Sequence, residues 1–327
     1  MAHPKGPLIA KIVIGGVLGI LILAAAVAVW ADHTYKKPGP LAQDGVVIIE
    51  AGMPVARTAR RLQDMGAVEN RLVFRWAARL SGASKRLQAG EYRIPAHASI
   101  KDILDILKSG VVIVHRLTLP EGLTSFQAIQ LLNSAEKMVG EVTDIPAEGS
   151  LLPETYYYTY GMQRSAMLAR MQAGMQALVA NLWEGRADGL PITTPEDAVI
   201  LASIVEKETA IPAERPLIAG VFINRLKRNM RLQSDPTVIY GITHGTELGR
   251  ELTTADIDAT TPYNTYRIDG LPPTPIANPG RESLTAVLHP ADTDALYFVA
   301  DGNGGHAFSS TYEEHLKNVK RWRQLGK

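Results

Sequence analysis

The chain has 327 residues, with 34 Lys and Arg against 33 Asp and Glu and a formal charge of +1, so it offers no broad basic surface and nucleic acid is disfavoured as its main partner. A composition that is 46% hydrophobic and 20% charged is enough for a buried core and excludes a disordered chain. With zero Cys, disulfides, thiolate zinc sites, cysteine nucleophiles and lipoprotein acylation are excluded together, while the redox compartment stays open.

Twenty residues from Ile12 to Ala31 carry no charge, and as a helix they would reach about 30 Å, the thickness of a bilayer's hydrocarbon core. Residues 1–11 form a short tail holding Lys5 and Lys11, and Asp32 follows the apolar run. The positive-inside rule therefore keeps the tail in the cytoplasm and sends the rest outside. Trp30 fits an interfacial belt. A cleaved signal peptide is the competing reading, because Ala26, Ala28 and Ala31 are small residues near the end of the run. The run exceeds the length usual for such a segment, which favours an anchor. Residues 32–44, with Lys36, Lys37, Pro38, Gly39 and Pro40, read as a linker.

The remaining length suggests about two folded units. Val46–Glu50 reads as a strand, followed by Ala51-Gly52 and an amphipathic helix carrying Ala56, Ala59 and Leu62. Leu87 to Tyr92 reads as a turn entering a strand. Ser99 caps a helix with Ile103, Leu104 and Leu107, which Gly110 closes, and Val111–Leu119 returns to strand character. After Pro120-Glu121-Gly122 a further helix spans Thr124 to Leu132. Repeated extended segments, glycine turns, hydroxyl caps and short helices predict small α+β units and not a doubly wound sheet. In Leu152-Pro153-Glu154-Thr155-Tyr156-Tyr157-Tyr158, strand alternation sends at least one tyrosine to the core.

Thr194-Pro195-Glu196-Asp197 is a strong helix start, with a hydroxyl cap, an early proline and acids at the positive end of the dipole. The body that follows, from Ala198 to Val205, leaves almost no polar face, so the helix should be buried on most sides. It ends in Glu206-Lys207-Glu208-Thr209. Apolar surroundings and the negative end of a helix dipole both favour a protonated carboxyl there, which is how a general acid near neutral pH is made. Glu208 has the more apolar helical neighbours and Glu206 is the alternative; both could equally be solvated helix-end glutamates beside Lys207.

Glu214-Arg215-Pro216 opens a second helix, Leu217 to Leu226, and Gln233-Ser234-Asp235-Pro236-Thr237 with Tyr240-Gly241 reads as a polar turn after it. Thr261-Pro262-Tyr263-Asn264-Thr265-Tyr266 and Gly270-Leu271-Pro272-Pro273 cannot be helix. Aromatic faces and amides suit a sugar, or they stiffen a surface loop. Leu296–Ala300 is a strand leading into a glycine-rich bend that presents His306. A phosphate loop would need a following helix and a Lys-Ser/Thr pair, so the bend reads as a hairpin turn. His289, His306 and His315 share no i, i+4 spacing on one helix, and no metal is expected.

The strings Ala202 to Thr209, Phe222-Ile223-Asn224-Arg225-Leu226, Leu232 to Val238, Tyr263-Asn264-Thr265-Tyr266, Gly270-Leu271-Pro272-Pro273 and Gly304-Gly305-His306 resemble the endolytic murein transglycosylases, the YceG-like family. The resemblance implies an inner-membrane anchor over 12–31, a LysM-like α+β subdomain over 45–112 and a larger α+β catalytic domain over 113–327 facing the periplasm. It also implies an enzyme without cofactor that cuts MurNAc-GlcNAc bonds within nascent glycan strands, leaves 1,6-anhydroMurNAc ends, and keeps company with peptidoglycan synthases. The family's acid falls in the Glu-Lys-Glu string, where Glu208 is chosen and Glu206 kept as the alternative. Gln233, Asp235, Tyr240, Tyr263, Asn264, Tyr266 and His306 become the groove candidates. Two rivals remain: a retaining muramidase using Glu208 as acid and Asp235 as nucleophile, and a non-catalytic peptidoglycan-binding scaffold.

Overall fold

The computed structural model describes residues 6–85 and 87–325. Lys5, one of the two lysines placed before the apolar run, lies outside the described residues. The chain is mixed α and β and divides into two units. The first takes the chain up to His115 together with Thr159–Gly161, and the second takes Arg116–Tyr158 and the chain from Met162 onward.

The first unit begins with α1, Gly6–Lys36. From Ile12 to Trp30 its side chains are exposed, with Ile20 at 69% and Val29 at 71%. The helix continues five residues past Ala31, so 32–36 is helical. An i, i+4 ion pair of 2.8 Å between Asp32 and Lys36 and the burial of Thr34 hold that last turn. Then come β1 (Gly45–Ile49), α2 (Val55–Asp64), α3 (Arg71–Leu80), β2 (Gly90–Ile94) and α4 (Ile100–Ser109). β1 and β2 pair antiparallel with Val47 opposite Tyr92. One face of this ladder and the inward stripes of the helices enclose Leu62, Phe74, Tyr92, Ile103 and Leu107. Ser99 and Asp102 form a reciprocal capping box on α4, and Gly110 ends it at φ 70°, a left-handed conformation that a Cβ would disfavour.

The second unit is mainly helical. β3 (Val114–Thr118) pairs with β4 (Thr155–Thr159), and α5 (Ser125–Ser134) and α6 (Arg164–Glu184) accompany them. In β4, Tyr156 and Tyr158 are buried while Tyr157 points to solvent, as alternation predicts. α7, Pro195–Glu208, starts on the expected Thr194–Asp197 capping box and is buried from Ala198 through Val205. It packs against α6, against α8 (Arg215–Lys227) and against α11 (Arg281–Leu288). Ala202, Ile204, Phe222 and Leu284 sit at the centre of that core.

The predicted polar turn at 233–241 is instead a short loop followed by α9, Asp235–Thr243, because Asp235-Pro236 supplies an acid and a proline to a first turn. α10 (Thr254–Asp258), the irregular stretch through Pro273, the antiparallel hairpin of β5 (Tyr297–Ala300) and β6 (His306–Ser309), and α12 (Tyr312–Leu325) complete the unit. The helices α3, α6, α10, α11 and α12 have no counterpart among the predicted elements.

Candidate active site

The core helix α7 decides where its last carboxylate goes. Eight consecutive buried residues fix the helix, and Thr209 leaves it in extended geometry at φ −143°, ψ 138°. Glu208 therefore stands at the end of an apolar rod and is not set on a flexible tail. The Ser234 hydroxyl donates to its Oε1. Burial pushes the Glu208 carboxyl up to about 6, and the Asp235 charge pushes the same way. The Ser234 hydrogen bond and the charges of His306 and Arg225 pull against that rise.

Ser234 is held by a small lattice of hydroxyls. Its N–H donates to Thr265 Oγ1 at 3.0 Å, Thr237 Oγ1 donates to its carbonyl at 2.6 Å, and the two threonine hydroxyls bond each other at 2.8 Å. Gln233, just before it, has φ 53° and donates its N–H to the Thr265 carbonyl at 3.1 Å. A non-glycine residue in the left-handed region is held there by its surroundings, and this loop is braced accordingly. Tyr266 donates its hydroxyl to Asp235 Oδ1 at 2.7 Å. Gln233 and Asp235 are exposed, and Tyr266, like Glu208 itself, is half-buried, so polar groups from two loops reach the surface near the acid.

Two further elements close the surroundings of Glu208. Arg225 on α8 is buried, and its guanidinium donates to the carbonyls of Leu296 and Leu232 at 2.7 Å each and to Gln233 Oε1 at 3.3 Å. Burial lowers its affinity for the proton, although an arginine still keeps its charge. Glu214 captures His306 twice, accepting the backbone N–H at 2.8 Å and bonding Nδ1 at 2.7 Å, and also accepts from Thr209 Oγ1 at 3.2 Å. Burial alone would raise Glu214, but these bonds outweigh it and hold its carboxyl below the usual carboxylate range.

Glu206 has a different occupation. Its side chain is 5% exposed, pairs with Arg215 Nη2 at 3.2 Å and accepts the Gly280 N–H at 2.9 Å. Arg215 also binds Glu121 and Glu282. Both Glu206 oxygens are thus spent on tying the end of α7 to the starts of α8 and α11, whereas Glu208 bonds only the Ser234 hydroxyl among the described residues.

Of the predicted groove residues, Gln233, Asp235, Tyr266 and His306 gather around Glu208, and three others do not. Asn264 is fully buried; its amide donates to the carbonyls of Ile257 and Ala259 at 2.9 and 2.6 Å, and its Oδ1 accepts the Tyr266 N–H at 3.0 Å. It therefore shapes the loop and has no group left for a sugar. Tyr240 and Tyr263, with ring centres 5.0 Å apart, line a separate cavity of about 840 Å³ beside Glu148, Gln176, Val199 and Pro275. Burial raises both the Glu148 carboxyl and the Tyr240 hydroxyl there. Ser234, Arg225 and Glu214 were not singled out from sequence; each stands inside or beside a motif string, but only long-range contacts reveal its partner.

The YceG-like family model matches residues 47–321. An endolytic murein transglycosylase of Bacillus subtilis (strain 168) is 30% identical over 310 residues, covering 84% of this chain and 83% of that protein. One of Streptococcus pneumoniae (strain ATCC BAA-255 / R6) is 29% identical, and the chain, matched over 83% of its length, spans 57% of that relative. The crystal structure of a yceG-like protein from Listeria monocytogenes superposes with a TM-score of 0.53 at 27% identity, covering 84% of this chain and 98% of that one.

Proposed function

Because the chain belongs to the YceG-like family, we propose that it is an endolytic peptidoglycan lytic transglycosylase in which Glu208 is the single acid and base. One observation carries the assignment: a carboxyl raised to about 6 at the end of a buried apolar helix, hydrogen-bonded by Ser234 near polar groups that reach the surface. Protonated Glu208 gives its proton to the glycosidic oxygen between N-acetylmuramic acid and N-acetylglucosamine. The bond from that oxygen to the muramic C1 breaks, and positive charge develops at C1. The carboxylate then takes the proton of the muramic C6 hydroxyl as its oxygen closes on C1. The products are a 1,6-anhydro end and a free N-acetylglucosamine hydroxyl, no water is consumed, and Glu208 ends protonated as it began. One carboxyl suffices because an internal hydroxyl replaces water, unlike paired-acid hydrolysis.

Gln233, Asp235, Tyr266 and His306 are the sugar-facing groups in this reading. α1 anchors the chain in the inner membrane with Lys11 on the cytoplasmic side, and the remainder works in the periplasm on strands that peptidoglycan synthases are making, ending their elongation. The 45–112 segment is the LysM-like element.

Mass spectrometry of muropeptides released from purified sacculi tests the chemistry. Anhydro ends are expected; reducing ends would mean hydrolysis, with Asp235 as a nucleophile. A second prediction concerns pH. The acid must carry its proton in the free enzyme, so kcat/KM should be level below pH 6 and fall as pH rises through about 6. Well above that point the fall should approach roughly tenfold per pH unit. A profile flat from pH 5 to 8 would remove Glu208 from the acid role.

A further inference from the structure

The helix α3 buries Val73, Phe74 and Ala78 against the core of its own unit. Its other side leaves Leu72 at 55%, Trp76 at 60% and Leu80 at 85% exposure. These positions are four residues apart and form one stripe, so a helix of ten residues presents an apolar face on both sides. A contiguous patch of large apolar side chains on a folded unit marks a contact surface.

What covers it follows from its neighbour. Trp76, Ala77 and Leu80 line a groove of about 840 Å³ whose opposite wall is Val27, Trp30 and Ala31. Those residues form the outer end of the apolar run in α1, just before Asp32. The stripe is therefore continuous with the surface that α1 offers to lipid, at the depth where Trp30 meets the headgroups. Arg71, Arg75 and Arg79 lie on the same helix, none of them paired with a carboxylate among the described residues, and the Arg79 guanidinium stands 5.6 Å from the centre of the Trp76 ring. Cations flanking an indole and two leucines match a layer of phosphates above acyl chains.

We propose that α3 is an interfacial helix, lying in the outer headgroup layer of the same bilayer that α1 crosses, with Leu72, Trp76 and Leu80 facing the acyl boundary. This rests on the reading of α1 as an anchor. The bilayer is favoured over glycan as the occupant because the groove opens onto the span itself and its walls are mainly apolar.

The chain has no native Cys, so Leu80→Cys or Trp76→Cys gives a unique thiol for a nitroxide label at a side chain whose loss costs the core little. The full chain is reconstituted into vesicles of phosphatidylethanolamine with phosphatidylglycerol, and collision of the label with oxygen is compared with collision with a water-soluble nickel complex. Glu251→Cys, on an exposed residue, is the control. Oxygen access should exceed nickel access by severalfold at positions 76 and 80 and not at 251, as partition into the interface requires. Co-flotation with the vesicles reports the anchor separately. Labels at 76 and 80 that remain open to nickel in chains that float would overturn the interfacial helix and leave the anchor standing. Failure to float overturns both. Protection gained only on adding soluble glycan, or only at high protein density in the membrane, would assign the stripe to glycan or to a second copy and also overturn the proposal.

Discussion

Glu208→Gln is expected to lower the rate of glycan cleavage about 10²- to 10⁴-fold while leaving binding of the strand largely intact, because only the transferable proton is removed. The amide keeps the shape of the carboxyl and can still accept from Ser234, so the loss should appear in kcat and scarcely in KM. Muropeptide release from sacculi measures the first, and a pull-down on sacculi measures the second. The same substitution should stabilise the fold above neutral pH. A carboxyl raised from an ordinary 4.5 to about 6 favours the folded chain while it is protonated. That advantage is complete below pH 4.5 and is lost as pH rises through about 6, a swing of about 2 kcal/mol. Denaturation of wild type and variant should therefore converge near pH 4 and diverge by pH 8. Glu206→Gln is the contrast. It loosens a buried tie to Arg215 and Gly280, so it should cost stability at every pH and cleavage much less than Glu208→Gln does; the reverse ranking would move the acid to Glu206.

Arg225→Met should be the most damaging single change to the second unit that leaves Glu208 in place. It strips the donors from the buried carbonyls of Leu296 and Leu232, and unpaired buried acceptors cost about 1–3 kcal/mol each, so a loss of about 2–5 kcal/mol is expected. It also removes a positive charge that holds Glu208 down. The alkaline limb of the pH profile should then move to higher pH as the carboxyl rises. Arg225→Lys separates the two effects. It restores the charge without the planar fork, so the limb should return towards its wild-type position while thermal stability stays reduced. A limb unmoved by either change would mean that Arg225 acts only as a strut between α8 and the strand β5.

How far the molecule could be read from its residues depended on distance along the chain. The α7 helix was legible because its cap, its proline and its apolar body are all local, and so was the placing of Glu206 and Glu208 in its last turn, but not which of the two has its oxygens tied up. The β5–β6 hairpin and the uncharged run in α1 declare themselves in the same way. The α6 and α11 helices carry no comparable start signal and became visible only through packing, whereas α12 opens on Thr311, whose Oγ1 accepts the Glu314 N–H at 3.3 Å. α3 also has such a signal, in the Asn70 side chain that accepts from the N–H groups of Leu72 and Val73. Pairings such as Ser234 with Glu208, 26 residues apart, or Glu214 with His306, 92 residues apart, are products of the tertiary fold. Asn264 shows the opposite failure. Its residue type suits sugar recognition and loop bracing equally, and only burial decided between them. Tyr240 and Tyr263 face a different cavity because Tyr240 stands more than a turn along α9 from Asp235, which carries its side chain away from those polar groups.

The bond between Glu214 and His306 has a consequence for which oxygen a sugar can present. With Nδ1–H committed to a carboxylate, a neutral imidazole has only a lone pair left, on Nε2. It can then greet a hydroxyl, which brings its own hydrogen, and must refuse an ether or carbonyl oxygen. One position would thus discriminate between chemical groups of the same saccharide through the hydrogen bond made on the far side of its ring.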